Sequence, residues 1–250
     1  MSSSQMPVGQ GFAAGGESPE QPSGPAVLVA GANGLVGRAV VRRLVAQPWA
    51  GSVTAFVRRR AALTAGQAAP GRLRECVVDF ERLNAPETQS AFAADIVICA
   101  LGTTIRKAGS QAAFRRVDVE YPVELARRAF AAGAHHFLLV SALGADAHSR
   151  VFYNRCKGEV EAEILSIGFP SVMVVRPSLL LGARAEFRLG ERVAQGVSHA
   201  IGRMIPKTWR PVSAESVAAA LVMAARVDAP GVRVLENAAL LGAKDERPVG

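Results

Sequence analysis

The chain has few cysteines, few aromatic residues and no long uninterrupted apolar run. Its three cysteines, Cys76, Cys99 and Cys156, show no C-x-x-C spacing, and their odd number argues against a disulfide scaffold. The four histidines show no spacing that is typical of a metal site. Because Arg176 splits the longest apolar candidate, no segment reaches the length of a transmembrane helix. We therefore expect no disulfide-rich module, no metal and no membrane span.

Aromatic residues make up only 6% of the chain, and this limits what its net charge of +8 can mean. A basic surface that binds nucleic acid usually carries interleaved aromatic residues on which bases stack, and none are found here. The charge pattern disfavours nucleic acid as a partner and favours a small molecule. We expect a monomer or homodimer. The cysteine usage fits a reducing cytoplasm. The clustered arginines fall on different predicted elements, at positions 42–43, 58–60, 115–116 and 127–128.

Composition predicts one folded domain with a short segment of different character at each end. A chain of 250 residues with 50% hydrophobic content can bury a substantial core. Residues 1–24 are rich in Gly, Ser, Pro and Gln, which predicts a disordered tail without the basic start and apolar centre of a signal peptide. The domain is predicted over 25–242, with a substrate-side region at about 182–211 and a loose C-terminus at 243–250.

Short apolar runs that alternate with helical stretches predict the α/β class, with a doubly wound parallel sheet of the Rossmann type. Candidate functional residues follow the carboxyl ends of these runs, where such sheets bind their ligands. A helix is predicted over 153–167, ending at Gly168. The predicted strands are 26–30, 52–57, 95–101, 136–140 and 172–175, together with a third strand that closes at 76–78.

A glycine-rich turn, GANGLVG at 31–37, follows the first predicted strand and opens a helix. Strand, turn and helix in this order are the context of a dinucleotide-binding motif. Gly31 would allow the tight turn, Gly34 would let backbone approach a diphosphate, and Gly37 would let helix and strand pack closely. The helix N-terminus would then offer unpaired N–H groups to the phosphates.

Arg58, Arg59 and Arg60, here called the arginine loop, follow the second predicted strand. Sites that prefer NAD usually carry a carboxylate near this point, which binds the ribose hydroxyls. Guanidinium groups suit the 2′-phosphate of NADP instead, because their planar fork donates two hydrogen bonds at once. NADP is therefore the expected cofactor and NAD the less favoured one. Asp79, at the end of the third strand, is placed to contact an adenine ring.

Tyr153 and Lys157 lie four residues apart on a predicted helix and therefore share one face of it. A tyrosine acts as an acid or base near neutral pH only when its pKa, ordinarily about 10, is lowered. A neighbouring ammonium has that effect because it favours the phenolate. Ser141, at the end of the fifth strand, is a candidate to bind the substrate oxygen. Gly102, after the fourth strand, would let a cofactor approach the backbone.

These segments resemble the atypical short-chain dehydrogenase/reductase superfamily and, within it, the Tat-interacting-protein-like oxidoreductases. Besides the glycine turn and the arginine loop, the resemblance is carried by ALGTTIRKAGS, RRVDVEYP, FLLVSALGAD, YNRCKGEVEAEI and VVRPSLLLGARAEFRLGE, and it covers about residues 25 to 240. It implies NADPH binding by Asn33, Gly34, Leu35, Gly37, Arg58, Arg59, Leu101, Gly102, Tyr153 and Lys157, with Leu180 and Arg188 near the nicotinamide.

The chain departs from the pattern of these relatives at two positions. Many relatives place an Asn on the helix after the fourth strand, where it organises a proton-relay water, and this chain has Asp118 there. Their catalytic serine often lies one or two residues past the fifth strand, where this chain has Ala142 and Leu143.

The expected function is an NADP(H)-dependent oxidoreductase that passes a hydride between nicotinamide and a carbonyl or alcohol carbon. Tyr153 would give or take the proton on oxygen, and Ser141 would position that oxygen. Lys157 would lower the tyrosine pKa and hold the nicotinamide ribose. The alternative, which the resemblance also raises, is a regulatory protein that binds NADPH to sense redox state and recruits partners with little or no turnover.

Overall fold

Strands of apolar residues that are buried on both faces form the centre of the molecule, as expected of a parallel sheet covered by helices. The computed structural model describes residues 24–61, 63, 71–181 and 206–242. The strands are β1 Val27–Ala30, β2 Val53–Val57, β3 Leu73–Val77, β4 Ile96–Cys99, β5 His136–Val140, β6 Ser171–Arg176, β7 Leu180–Leu181, β8 Val212–Ser213 and β9 Gly231–Glu236.

Seven of the strands in the described part of the chain form one parallel sheet in the order β3-β2-β1-β4-β5-β6-β9. The order reverses beside β1, so the carboxyl ends of β1 and β4 meet at the switch point where such sheets bind ligands. β7 and β8 pair separately beyond the end of β6. The predicted α/β class and doubly wound parallel sheet are confirmed.

Helices cover both faces of the sheet, because the connections between parallel strands must cross over it. Short 3₁₀ turns lie at Phe80–Arg82, Ser90–Phe92 and Lys207–Trp209, and a π-helical turn lies at Arg116–Glu120. The α-helices are α1 Leu35–Val45, α2 Pro86–Gln89, α3 Ile105–Ala108, α4 Gln111–Arg115, α5 Tyr121–Ala131, α6 Phe152–Leu165, α7 Ala214–Val227 and α8 Asn237–Leu240.

The core consists of two apolar layers, one on each face of the sheet. Alternate residues of a strand point to opposite faces, so neighbouring residues of β1 belong to different layers. Val29 packs with Leu44 of α1 and Leu221 of α7 in one layer. Leu28 packs in the other layer, together with Leu125 of α5 and Val160 of α6. The second layer therefore holds α6, the helix of the Tyr–Lys pair, against the sheet.

The edge strands differ most from the sequence prediction. β9 was not predicted, because it is half-exposed and carries charged residues instead of a continuous apolar run. β3 begins three residues before the predicted 76–78, and its residues are also only partly buried. The interior strands agree within one or two residues at each end. Helix α6 covers 152–165 instead of the predicted 153–167.

Several predictions concern residues outside the described part of the chain. These are Arg188, nearly all of the tail predicted at 1–24, most of the substrate-side region predicted at 182–211, and the C-terminus predicted at 243–250. Of the helices in the described ranges, none combines the length and the apolar character needed to cross a bilayer.

Gly158 lets α6 approach the loop that follows β5 more closely than any side chain would permit. A Cβ atom built on Gly158 would lie 2.0 Å from the backbone nitrogen of Ala147 and 2.2 Å from the carbonyl carbon of Asp146. Neither atom is the end of a flexible side chain, so the contact cannot relax without a shift of the backbone. Gly158 therefore fixes the distance between α6 and this loop, one residue after Lys157.

We expect Gly158→Ala to destabilise the protein even though alanine favours helix by about 1 kcal/mol over glycine. Overpacking against fixed backbone costs about 1–3 kcal/mol or more and outweighs that gain. Gly242→Ala is the control, since a Cβ there would meet its nearest neighbour at an ordinary 3.6 Å. Urea unfolding of both variants tests this, and equal midpoints would contradict the packing argument.

Candidate cofactor and catalytic site

The glycine turn between β1 and α1 is built on two backbone contacts that exclude side chains. Gly31 has a φ of +79°, and a Cβ there would lie 2.4 Å from the carbonyl oxygen of Ala100 at the end of β4. A Cβ at Gly37 would lie 2.2 Å from the carbonyl oxygen of Gly31. The glycines therefore draw the first turn of α1 against β1 and the end of β4.

The N-terminus of α1 has the properties of an anion-binding helix end. Its N-cap, Gly34, supplies no side-chain cap, and the first turn contains no acidic residue. The first N–H groups of a helix lack partners within the helix, and its dipole is positive at this end. Beside them, the side-chain oxygen of Asn33 is buried without a hydrogen-bond partner. The turn therefore offers N–H donors to a diphosphate and one buried acceptor to a ligand hydroxyl or N–H group.

The arginine loop is fastened to the glycine turn through its backbone. The Asn33 side-chain amide donates to the carbonyl oxygen of Arg59 at 3.0 Å. Glu75 of β3 accepts from the backbone N–H groups of Ala61 at 3.0 Å and Leu63 at 2.8 Å. The Glu75 carboxylate thus holds the loop in place, and the three arginine side chains are exposed beside the turn. Sequence reasoning did not identify this role of Glu75, because it depends on pairing between β2 and β3.

Tyr153 and Lys157 lie in the first half of α6, and Gly102 lies beside them. The Lys157 ammonium is 6.0 Å from the centre of the Tyr153 ring, whose other neighbours include the Phe114 ring at 5.7 Å. A Cβ at Gly102 would lie 4.0 Å from Lys157 Nζ. The segment from Ala100 to Gly102 therefore lies against the glycine turn at one end and beside Lys157 at the other.

Asp118 joins this group, although sequence reasoning treated it only as a departure from the family pattern. It lies in the π-helical turn, a distortion that is frequent at functional sites, and is 1% exposed. Its Oδ1 atom is 2.7 Å from Lys157 Nζ, and its Oδ2 accepts the N–H group of Thr103 at 2.8 Å. Its spacing of four residues after buried Phe114 is the one sequence signal that could have indicated its burial.

The electrostatics of this buried group differ from the sequence prediction. Burial lowers the pKa of Lys157, but the Asp118 carboxylate and Tyr153 raise it by a larger amount. The net pKa therefore lies above the ordinary value. Burial raises the pKa of Tyr153; the Lys157 ammonium lowers it, Asp118 raises it, and the net pKa again lies above the ordinary value. Lys157 does lower the pKa of this tyrosine, as expected, but burial and Asp118 outweigh it, so the net pKa is raised.

Ser141, predicted to bind the substrate oxygen, is engaged elsewhere. It is buried, and its hydroxyl donates to Glu161 of α6. The same carboxylate accepts from Arg176 Nε at 3.1 Å and Nη2 at 2.6 Å. The structure therefore joins Ser141 to an ion pair that links β5, α6 and β6, because α6 presents Glu161 to the ends of those strands.

The remaining predicted contact residues lie near carboxyl ends of strands. Asp79 follows β3, where its Oδ1 accepts the N–H group of Glu81 at 3.0 Å and caps a 3₁₀ turn. Leu101 follows β4 and packs partly against the core, and Leu180 is half-buried in β7. Their roles as cofactor contacts stay predictions.

A separate cavity of about 470 Å³ lies at the opposite, amino edge of the sheet. Its lining includes Trp49, Asp95 before β4, His135 before β5, and Asp228 after α7. Since the glycine turn and the Tyr–Lys pair lie at the carboxyl edge, this cavity is not the cofactor cleft.

Comparison with known proteins identifies the family. A family of NAD(P)H-binding domains matches residues 31–166. Protein HTATIP2 of Rattus norvegicus is 36% identical over 223 residues, covering 86% of this chain and 87% of the relative. Protein FMP52, mitochondrial, of Candida albicans is 32% identical over 196 residues, covering 76% and 83%. The predicted resemblance to the Tat-interacting-protein-like group is confirmed.

A solved structure supports the fold. The 3-oxoacyl-[acyl-carrier protein] reductase of Brucella melitensis in complex with NAD superposes with a TM-score of 0.68 at 16% identity, covering 87% of this chain and 97% of the reductase. At this identity the likeness establishes the Rossmann-like α/β fold alone. The family match supports binding of a nicotinamide cofactor.

The predicted cytoplasmic location is contradicted by the relatives. The FMP52 proteins of several fungi are named mitochondrial, and this finding overturns the cytoplasmic prediction.

A double-mutant cycle tests the buried ion pair. Asp118→Asn keeps an acceptor for Thr103 but leaves the Lys157 ammonium unpaired, which should cost about 3–5 kcal/mol of unfolding free energy at pH 7. Lys157→Met should also destabilise, and the double variant should lose less than the sum of the two. Additive losses in urea unfolding would contradict direct coupling.

The same cycle has a pH dependence whose sign follows from the raised pKa of Lys157. A lysine whose pKa is raised by folding stabilises the fold below its unfolded pKa of about 10.4, and this stabilisation is lost as the pH rises through the folded pKa. The stability gap between parent and variant should therefore narrow as the pH rises above about 10.4, and a constant gap would contradict the assignment.

Proposed function

Because this chain belongs to the NAD(P)H-binding family, we propose that it is an NADP(H)-dependent oxidoreductase of the short-chain dehydrogenase/reductase type. The observation that carries the proposal is the position of Ala100–Gly102 between the two motifs. Gly31 of the glycine turn abuts Ala100, and Gly102 lies beside Lys157 and Asp118. A ligand that lies along this segment can reach the uncapped helix end and the Tyr–Lys pair at the same time.

The residues of the site suit each part of the proposed cofactor. The N–H groups at the start of α1 suit a diphosphate, and the unpaired oxygen of Asn33 suits a hydroxyl or N–H donor. The exposed arginine loop suits the 2′-phosphate. Lys157 would hold the nicotinamide ribose, and the absence of a side chain at Gly102 leaves room beside it.

The chemistry would divide between the cofactor and this chain. When bound, the reduced nicotinamide supplies a hydride, and with it two electrons, to a carbonyl carbon. Tyr153 would supply the proton to the carbonyl oxygen, so that an alcohol forms. The half-buried tyrosine ring packs against the Phe114 ring, and this contact helps to orient its hydroxyl. Positioned proton donors of this kind contribute about 10²–10⁴-fold to rate.

The preference for NADP over NAD is proposed from the arginine loop. Asn33 holds its backbone at Arg59, and Glu75 holds the residues that follow it, so the three side chains begin from a fixed position. The Glu75 carboxylate already accepts two backbone N–H groups beside the arginine loop. This engagement disfavours a second role for Glu75 in binding the ribose hydroxyls of NAD. Charge-assisted hydrogen bonds to a phosphate contribute about 1.5–3 kcal/mol each.

We expect NADPH to bind more tightly than NADH, and Arg58→Ala with Arg59→Ala to remove most of that difference. Titration calorimetry with both cofactors measures it. Arg226→Ala is the control, because this exposed arginine lies at the opposite edge of the sheet and changes the net charge without touching the site. Equal dissociation constants of the parent for NADPH and NADH would sink the proposed preference.

We expect Tyr153→Phe to lower turnover of a carbonyl substrate by about 10²–10⁴-fold while NADPH affinity changes little. The substitution removes the hydroxyl but keeps the ring that packs on Phe114. Tyr121→Phe is a matched control, since Tyr121 is the other tyrosine of the chain and its hydroxyl bonds Glu81 outside the site. Steady-state kinetics after a screen of aldehydes and ketones provides the test.

Full activity of Tyr153→Phe would refute its role as proton donor. Tight NADPH binding without turnover of any carbonyl or alcohol would refute the oxidoreductase and favour the redox-sensing regulator.

A further inference from the structure

Tyr153 is half-buried beside one cation and one anion. The Lys157 ammonium of the same helix lies 6.0 Å from the centre of its ring, and Asp118 of the π-helical turn pairs with that ammonium. Phe114 of α4 contributes an uncharged ring. Cys99 of β4 faces Lys157 and Asp118, and burial raises the pKa of its thiol to about 12, so it is neutral. Among the described residues, Lys157 and Asp118 therefore set the charge that the tyrosine senses.

Asp118 is held so that it cannot move away from the ammonium. Its Oδ2 accepts the backbone N–H group of Thr103 at 2.8 Å while Oδ1 lies 2.7 Å from Lys157 Nζ. Both partners of the ion pair are at least 94% buried, so water screens their attraction very little. The ammonium is consequently neutralised by Asp118 before it can stabilise a phenolate on Tyr153. An amide at position 118 would leave the full positive charge facing the tyrosine.

From this arrangement we propose that Asp118 is a positioning residue that neutralises Lys157, keeps the Tyr153 hydroxyl protonated, and so adapts the site to reduce a carbonyl compound. The inference rests on the proposed function and adds the direction in which the site is prepared to work. Reduction requires the tyrosine as a proton donor, whereas oxidation of an alcohol requires its phenolate as a base.

The proton inventory of the step is simple. The O–H bond of Tyr153 breaks and a new O–H bond forms on the substrate oxygen. The carbonyl carbon gains the hydride, which carries the two electrons. The phenolate that remains regains a proton from solvent before the next turnover. In the opposite direction Tyr153 must first lose its proton, and a neutralised Lys157 gives that loss little assistance.

A spectroscopic titration tests the inference without cofactor or substrate. The chain contains two tyrosines, so Tyr121→Phe leaves Tyr153 as the single tyrosine, and its ionisation is followed by the ultraviolet absorbance of the phenolate. In this background Tyr153 should ionise above the ordinary tyrosine value of about 10. Adding Asp118→Asn should move the titration to lower pH, with about tenfold more phenolate at a fixed pH below the midpoint.

Glu120→Gln is the matched control for Asp118→Asn. Glu120 belongs to the same π-helical turn, and the change again converts a carboxylate to an amide, but its side chain is 56% exposed and lies 3.8 Å from Arg116. It should leave the Tyr153 titration unchanged. An equal shift in both variants, or no shift in Asp118→Asn, would overturn the inference.

If Asp118→Asn does not fold, the Tyr153 titration in the Tyr121→Phe protein alone still tests the inference. A Tyr153 midpoint below about 10 would overturn the inference without any variant at position 118.

Once a substrate is known, the rate of reduction by the parent should be independent of pH around neutrality, and the rate of alcohol oxidation should rise with pH. In Asp118→Asn the rise in oxidation should begin at lower pH. A protein without turnover would refute the proposed function, yet its absorbance titration would still test Asp118.

Discussion

An ammonium and a carboxylate that leave water together lose several kcal/mol of hydration each, and only a close, fixed pairing offsets that loss. Lys157 and Asp118 satisfy this condition with their atoms 2.7 Å apart and Thr103 holding the carboxylate. The pair joins α6 to the π-helical turn and to the segment that follows β4. It thereby fixes the position of Tyr153 relative to Gly102. The proposed role of Tyr153 as proton donor depends on that position.

A second network lies one turn farther along α6. Glu161 accepts from Ser141 and from Arg176, and Arg176 also donates to Glu236 at 3.0 Å. These contacts tie the carboxyl ends of β5, β6 and β9 to the helix that carries Tyr153. Gly158, between the two networks, holds the loop after β5 against the same helix. Glu161 and Gly158 thus hold α6 against the strand ends and against the loop after β5, and neither takes part in the proposed proton transfer.

Local patterns in the sequence predicted the parts of the fold that are buried on both faces. Val27–Ala30 is wholly buried and was found, whereas β9 at Gly231–Glu236 is half-exposed and was missed, because an edge strand needs no continuous apolar run. The same limit applies to the site. The Tyr–Lys spacing is visible in one helix, but the contacts of Asp118 with Lys157 and of Ser141 with Glu161 join residues that are distant in sequence. Packing determines those contacts, and no periodicity reports them.

The central claim is that one ligand lies along Ala100–Gly102 and joins the glycine turn to Tyr153. A crystal structure of the protein with NADPH tests it most directly. The account predicts the diphosphate at the start of α1, the 2′-phosphate within hydrogen-bond distance of Arg58 or Arg59, and the nicotinamide ring beside the Tyr153 hydroxyl. A nicotinamide ring remote from Tyr153, or NADPH bound in the cavity at the amino edge of the sheet, would contradict it.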